Sequence, residues 1–340
     1  MTAIRTPRTP GRRDLFRGGL GLLAGAAVVG AAGCSGGSGS SGAGSGSVAI
    51  ATGYGLSYAS LTVVEARGWL AEALPDHTVE WQVLSGGSAS RDGMLAGSLQ
   101  AGTGGLAPFL QARDSGVPWK VVTGLNNMPL RMVTLDDRIR SLADITDADR
   151  ISSPQPGSIQ SIVLAHAARE EFDDPGRFTD NLVAMPHPDA LQALLSGQIA
   201  AAVTAPPFQY QAEAEGARVL LDSYEVFGAP HGFNVVTALE DYAEENPDVI
   251  EALHACVERA NGLITDDPEE AARILSEAED GAVSAEEYLE HLGRDGIEYT
   301  TAPQGLERIG AFMAEIGAIG SAPESWSDLV FDTVAGEDGS

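Results

Sequence analysis

Cysteine and lysine are almost missing from this chain: two cysteines, Cys34 and Cys256, and one lysine, Lys120, among 340 residues. Two isolated thiols build no disulfide framework, and the sequence has no Cys-x-x-Cys or His-x-x-x-His spacing with which to hold a metal. No metal and no cofactor is therefore expected. A phosphate loop ending in Gly-Lys is also lacking. The one Gly-x-Ser-x-Gly match, Gly33 to Gly37, has neither the strand nor the helix that a nucleophile elbow needs. Positive charge is scarce, with 20 Lys and Arg against 48 Asp and Glu. Five of those arginines and only one of the acids, Asp14, precede Val48, leaving 15 basic against 47 acidic side chains beyond it. Such a balance excludes nucleic acid as a natural partner. No stretch reaches the ~20 predominantly apolar residues of a membrane span.

The N-terminus holds an export device. Arginines at 5, 8, 12, 13 and 17 precede a weakly apolar, glycine-rich span from Gly18 to Gly33, and small residues lead to Cys34, which is signal-peptide anatomy. Arg12-Arg13-Asp14-Leu15-Phe16 resembles a twin-arginine signal. Ala31-Ala32-Gly33-Cys34 resembles a bacterial lipobox, although Ala31 stands where leucine is usual. Residues 1–33 are thus expected to be a signal peptide, and Cys34 to be lipidated and to become the first mature residue. An uncleaved anchor is the alternative. Residues 34–47 form a Gly/Ser tether, whose 13 residues after Cys34 have a root-mean-square reach of roughly 20 Å. An extracytoplasmic protein held at the cell membrane follows.

From Val48 onward, short β-branched or apolar runs alternate with longer amphipathic stretches, the pattern of an α/β layered fold with helices on mainly parallel sheets. Strands are expected at Val48–Thr52, Thr78–Leu84, Leu99–Thr103 and Trp119–Gly124, then at Leu130–Leu135, Arg150–Ser152, Asn181–Met185, Ala200–Thr204, Arg218–Leu221 and Phe233–Leu239. Helices are expected between them at Ala59–Leu74, Ser88–Ala96, Leu106–Ser115, Ser158–Phe172, Pro188–Leu195 and Pro206–Glu215, with a mostly helical stretch from Asp241 to Ile319. Within the latter, Leu253, Cys256, Val257 and Ala260 share one helical face, so Cys256 reads as a core thiol. Leu95-Ala96-Gly97-Ser98-Leu99 returns as Leu195-Ser196-Gly197-Gln198-Ile199, an internal duplication signal.

Several landmarks in one order give the chain a family likeness. Thr52-Gly53-Tyr54 follows the first strand, Arg67-Gly68-Trp69-Leu70 closes the first helix, Ser85-Gly86-Gly87-Ser88 follows the second strand, and Pro154-Gln155-Pro156-Gly157-Ser158 opens a later helix. With the duplicated segment, this order resembles the type II periplasmic solute-binding proteins of ATP-driven importers, in the family of sulfonate-, taurine-, nitrate- and thiamine-precursor-binding receptors. The resemblance implies two lobes, 48–127 plus 233–340 and 128–232, joined by two hinge crossings. It implies a monomer that binds a small solute, performs no chemistry, and passes the solute to a membrane permease with a separate ATPase subunit.

Open α/β sheets bind ligands beyond the carboxyl ends of their strands, so candidate residues lie in the loops there. Gly86, Gly87 and Ser88 allow close backbone approach and open a helix whose free N–H groups can receive an acceptor. Gly157, Ser158, Ile159 and Gln160 form a similar device further on. Thr103, Gly104 and Thr204 follow strands and would close the floor. Tyr54 and Tyr58 could cover a flat or alkyl ligand, or pack beneath a lobe. His187, His231 and Asn126 lie near expected cleft edges, where a structural hydrogen bond is the competing role. Arg91 and Arg131 are the only cations near these loops, which leaves a sulfonate, a nitrate-like anion and a pyrimidine-like or other aromatic solute all open. The competing functions are an enzyme like the fungal thiamine-pyrimidine synthase, whose cofactor lysine and cysteine-rich iron site have no counterpart here, and a sensory receptor that presents its ligand to a signalling partner.

Overall fold

The computed structural model describes residues 46–340 except Tyr54 and Ser85. The export segment, Cys34 and the candidate ligand residue Tyr54 lie outside the described residues. Among the described residues there are ten strands: β1 Ser47–Thr52, β2 Thr78–Val83, β3 Gly102–Gly105, β4 Trp119–Gly124, β5 Arg131–Thr134, β6 Ile151–Ser153, β7 Leu182–Ala184, β8 Ala201–Thr204, β9 Arg218–Asp222 and β10 Asn234–Leu239. Among the described residues no helix is long and apolar enough to cross a membrane.

Two strand assemblies share one order. β2 pairs with β1 in parallel, β1 meets β3 through a parallel Ile50–Ala101 bridge, and β10 lies antiparallel between β3 and β4. In the other, the order is β7-β6-β8-β5-β9, with β6 parallel to β7 and β8, and β5 antiparallel between β8 and β9. Each assembly thus holds four strands running one way and one inserted against them. The inserted strands, β5 and β10, directly follow the two segments where the chain passes between assemblies. Those segments run side by side: Phe233 N–H donates to Asn126 O at 3.0 Å, and Asn127 bridges Gly232.

The duplicated segment is a repeated hydrogen-bond pattern as well as a repeated sequence. Ser98 and Leu99 N–H both turn back to Gly93 O, as Gln198 and Ile199 N–H both turn back to Ala193 O. Gln100 and Ala101 N–H then reach Ala49 O, as Ala200 and Ala201 N–H reach Arg150 O. Gly97 (φ 72°) and Gly197 (φ 70°) take the left-handed conformation that ends each helix. This turn explains why β3 starts at Gly102 rather than Leu99: the amides of Ser98 and Leu99 are spent on the preceding helix. The single helix expected over Ala59–Leu74 is two, Ala59–Arg67 and Trp69–Ala73, broken at left-handed Gly68.

The helices cover the sheets with apolar stripes. Pro247–Asp266 buries Val249, Ile250, Leu253, Cys256, Val257, Ala260 and Ile264 on one face, starting at a proline in its first turn. Each buried Leu, Ile or Val there contributes about 1.5–3 kcal/mol. Burial raises the Cys256 thiol above its ordinary pKa, in keeping with a core role. A short helix, Ser223–Phe227, lies where the sequence analysis placed none; the Asp222 carboxylate caps it by accepting from Tyr224 N–H at 3.0 Å.

Candidate functional site

The carboxyl ends of β1, β2 and β3 face those of β6, β7 and β8 across a cavity of about 390 Å³. From the first assembly come Ser57 and Tyr58 after β1, Leu84, Gly86 and Gly87 after β2, and Gly104 and Gly105 at the end of β3. The opposite wall is Pro154 and Gln155 after β6, Ser158, Ile159 and Gln160 at a helix start, Pro186 to Asp189 after β7, and Ala205, Pro206 and Phe208 after β8. Phe233 and Asn234 enter from the second crossing. Apolar groups dominate this lining, as in most small-molecule sites.

Close backbone packing shapes one wall. A Cβ on Gly104 would stand 2.5 Å from Gly87 Cα, so position 104 must be glycine for β3 to meet the start of helix Gly87–Leu95, while a Cβ on Gly87 would press on the Pro108 side chain at 3.1 Å. That helix start has no side-chain cap, which leaves its first amides available to an acceptor. On the other wall, the Ser158 hydroxyl caps helix Ile159–Phe172 by accepting from Ser161 N–H at 3.3 Å, and it also pairs with the Ser153 hydroxyl at 2.8 Å. Gln155 Nε2 donates to Ser88 Oγ at 3.2 Å, so a hydrogen bond spans the two walls.

His187 is held at both ring nitrogens. Gln160 Nε2 lies 3.3 Å from its Nε2 and Thr204 Oγ1 lies 2.8 Å from its Nδ1. With the Gln160 amide as donor, Nε2 accepts and Nδ1–H donates to Thr204. The ring stacks on Phe208 at 5.6 Å, and burial lowers its pKa to about 4, so it is neutral at physiological pH. Burial also pushes the Tyr58 hydroxyl up to about 12, only partly offset by the nearby Thr103 and Asn234 side chains. Asn234 is 3% exposed, and its Nδ2 makes no well-formed hydrogen bond.

Among the residues singled out from sequence, Tyr58, Gly86, Gly87, Gly104, Ser158, Ile159, Gln160 and His187 are together in this cavity. The other described candidates stand outside its lining. Ser88 bonds across from Gln155, Thr103 lies beside Tyr58, Thr204 holds His187, and Gly157 (φ 75°) makes the turn before Ser158. Asn126 and His231 face inward: Asn126 Nδ2 donates to Ser57 O at 2.7 Å, and His231 Nε2 meets Ser223 Oγ at 2.8 Å. Arg91 pairs with its neighbour Asp92, and Arg131 with Glu213 and Asp222; neither lines the cavity. Sequence reasoning missed Asp189, Phe208, Phe233 and Asn234. Asp189 and Phe208 occupy the first turns of helices that follow strands, which was the available signal. Among the described residues no group of three His, Cys, Asp or Glu converges as a metal site.

This architecture, two similarly ordered α/β assemblies with a cavity at the strand ends between them, is the type II periplasmic-binding-protein fold. The family model described as NMT1-like matches residues 41–278. The chain belongs to the NMT1-like family. Among solved structures it is similar to the alkanesulfonate-binding protein SsuA of Xanthomonas axonopodis pv. citri bound to MOPS, at 17% identity and TM-score 0.68, over 85% of this chain and 99% of that one. The periplasmic aliphatic sulphonate-binding protein SsuA of Escherichia coli is similar at 18% identity and TM-score 0.64, over 84% and 92%. A Candida albicans protein reported to have the generic periplasmic binding protein fold matches at 13% identity and TM-score 0.61, over 85% and 94%. No curated protein matches the sequence.

Proposed function

We propose that the chain is an extracytoplasmic solute-binding protein of an ATP-driven importer, anchored by a lipid on Cys34, that takes a small organic solute between two lobes and delivers it to a membrane permease. It acts as a monomer and performs no chemistry. The observation that carries this reading is the cavity itself, whose walls come from separate strand assemblies joined by two adjacent crossings. Lobe 1 is 48–127 plus 233–340, lobe 2 is 128–232, and closure is a rotation about the crossings. The sulfonate-binding names of the similar structures support solute binding as the role. The Gly/Ser tether supplies the reach by which a loaded receptor meets its permease.

The test is a thermal-shift survey of the full-length protein against small solutes, followed by X-ray scattering with and without each hit. A stabilising solute that shrinks the radius of gyration supports the reading. Turnover of a hit, or stabilisation without any change in shape, counts against it. Cys34→Ala should move the protein from the membrane to the soluble fraction; unchanged membrane retention would remove the lipid anchor.

A further inference from the structure

The lining of the cavity carries a charge of one sign. Among the described residues Asp189 is the only carboxylate that lines it, exposed in the first turn of helix His187–Leu195, and neither lysine nor arginine does. Tyr54 and Ser85, which flank lining segments in sequence, are uncharged types. The two arginines nearest in sequence are committed elsewhere, Arg91 to Asp92 and Arg131 to Glu213 and Asp222. A sulfonate or carboxylate brought here would lose its hydration without meeting a countercharge, and the desolvation of an unpaired ion is severe. The uncapped starts of helices Gly87–Leu95 and His187–Leu195 each offer at most about half an elementary charge in compensation, and the second carries Asp189 in its own first turn. Together those partial charges do not exceed the full negative charge on Asp189, and the chain's net charge of −28 adds a repelling field.

The remaining surface specifies the rest of the ligand. Tyr58, Phe208 and Phe233 all line the cavity, and aromatic side chains favour contact with a flat body. Asn234 adds a neutral polar group to the wall, beside the buried Tyr58 hydroxyl. We propose that the cleft selects a flat aromatic solute carrying a protonated nitrogen, with that nitrogen near Asp189, and that it rejects anions. The proposal rests on the solute-binding reading and adds the charge of the solute to it.

Isothermal titration of the full-length protein with 2-phenylethylamine, 2-phenylethanol and 2-phenylethanesulfonate tests it, because the three share a ring and differ in charge. The amine should bind about fivefold more tightly than the alcohol, as a partly solvated ion pair allows, and the sulfonate most weakly. Asp189→Asn should bring the amine to parity with the alcohol. A sulfonate that binds more tightly than the amine would overturn the charge assignment and leave solute binding standing. So would an amine preference that survives Asp189→Asn. No saturable binding by any of the three would overturn this inference and count against the cavity as a solute site.

Discussion

Acid should destabilise this protein through His231, by an amount that its surroundings set. The residue is fully buried at the second crossing. Its Nδ1 lies 2.8 Å from Gly232 O, so Nδ1 carries the proton and donates. Nε2 must then accept from the Ser223 hydroxyl at 2.8 Å, while Ser223 Oγ itself accepts from Leu130 N–H at 2.8 Å. Leu130 belongs to the first crossing, so the relay ties the two crossings together. A proton on Nε2 would set donor against donor in a dry site. Burial is the main reason that the pKa falls from its ordinary 6.5 to about 4, with the Gly232 carbonyl opposing and Arg308 adding slightly.

The unfolded chain has the higher pKa, so it binds the extra proton first. The His231 contribution is therefore fully present above about pH 6.5 and is lost as pH falls toward 4. It amounts to about 3 kcal/mol, a large part of the 5–15 kcal/mol typical of a domain. His187, lowered to about 4 by burial alone, adds a similar loss in the same window. The assay is urea unfolding from pH 7 to 4 for the wild type and His231→Gln, whose amide oxygen can still accept from Ser223. Within this window the wild-type slope should exceed that of the variant by about 1.4 kcal/mol per pH unit. Equal slopes would refute the account, because no other group is changed.

Other substitutions test other links. Gly97→Ala and Gly197→Ala place a Cβ in open space at φ 72° and 70°, so each should destabilise by roughly 1 kcal/mol through backbone strain alone, read from urea midpoints. Gly262→Ala, in open space inside a helix, should instead stabilise by up to about 1 kcal/mol. Gln160→Ala removes the donor to His187 Nε2 and should weaken solute binding more than it lowers the melting temperature, as titration beside a thermal scan would show.

Much of the fold was legible because local rules dictate it. Trp119–Gly124 has the same bounds in sequence and structure, and the paired glycine turns near 97 and 197 are visible in the sequence as a repeat. The direction of β5 and β10 was less legible: an apolar run predicts a strand but says nothing of its neighbours. The site divides in the same way. Loops after strands supply much of the cavity lining, yet Asn126 and His231 lie near the crossings and bond to Ser57 and Ser223 without lining it, while Phe208 and Asn234 line it from element starts. Which side of a first turn faces the opposite wall is decided by how two distant stretches pack, and no local pattern encodes that.

The Gly87–Gly104 contact shows how a cavity with no cation can still present fixed polarity. With a would-be Cβ 2.5 Å from backbone carbon, β3 and the start of helix Gly87–Leu95 approach as closely as side-chain-free residues permit. The closeness fixes the uncapped amides of that helix at the cavity wall, where they can meet a ligand acceptor without a side chain having to be ordered first. Gly104→Ala must push the two segments apart, since the atom it meets is backbone and cannot rotate away. Such overpacking costs about 1–3 kcal/mol, and it should also weaken binding of any solute found in the survey. Gly105→Ala, whose Cβ would meet the Ile159 methyl at 3.3 Å and the Phe233 carbonyl oxygen at an ordinary 3.6 Å, should be tolerated far better. If both variants bound equally well, the amides of that helix start would have no part in recognition, and the polarity of the site would rest on Gln160, Asn234 and Asp189.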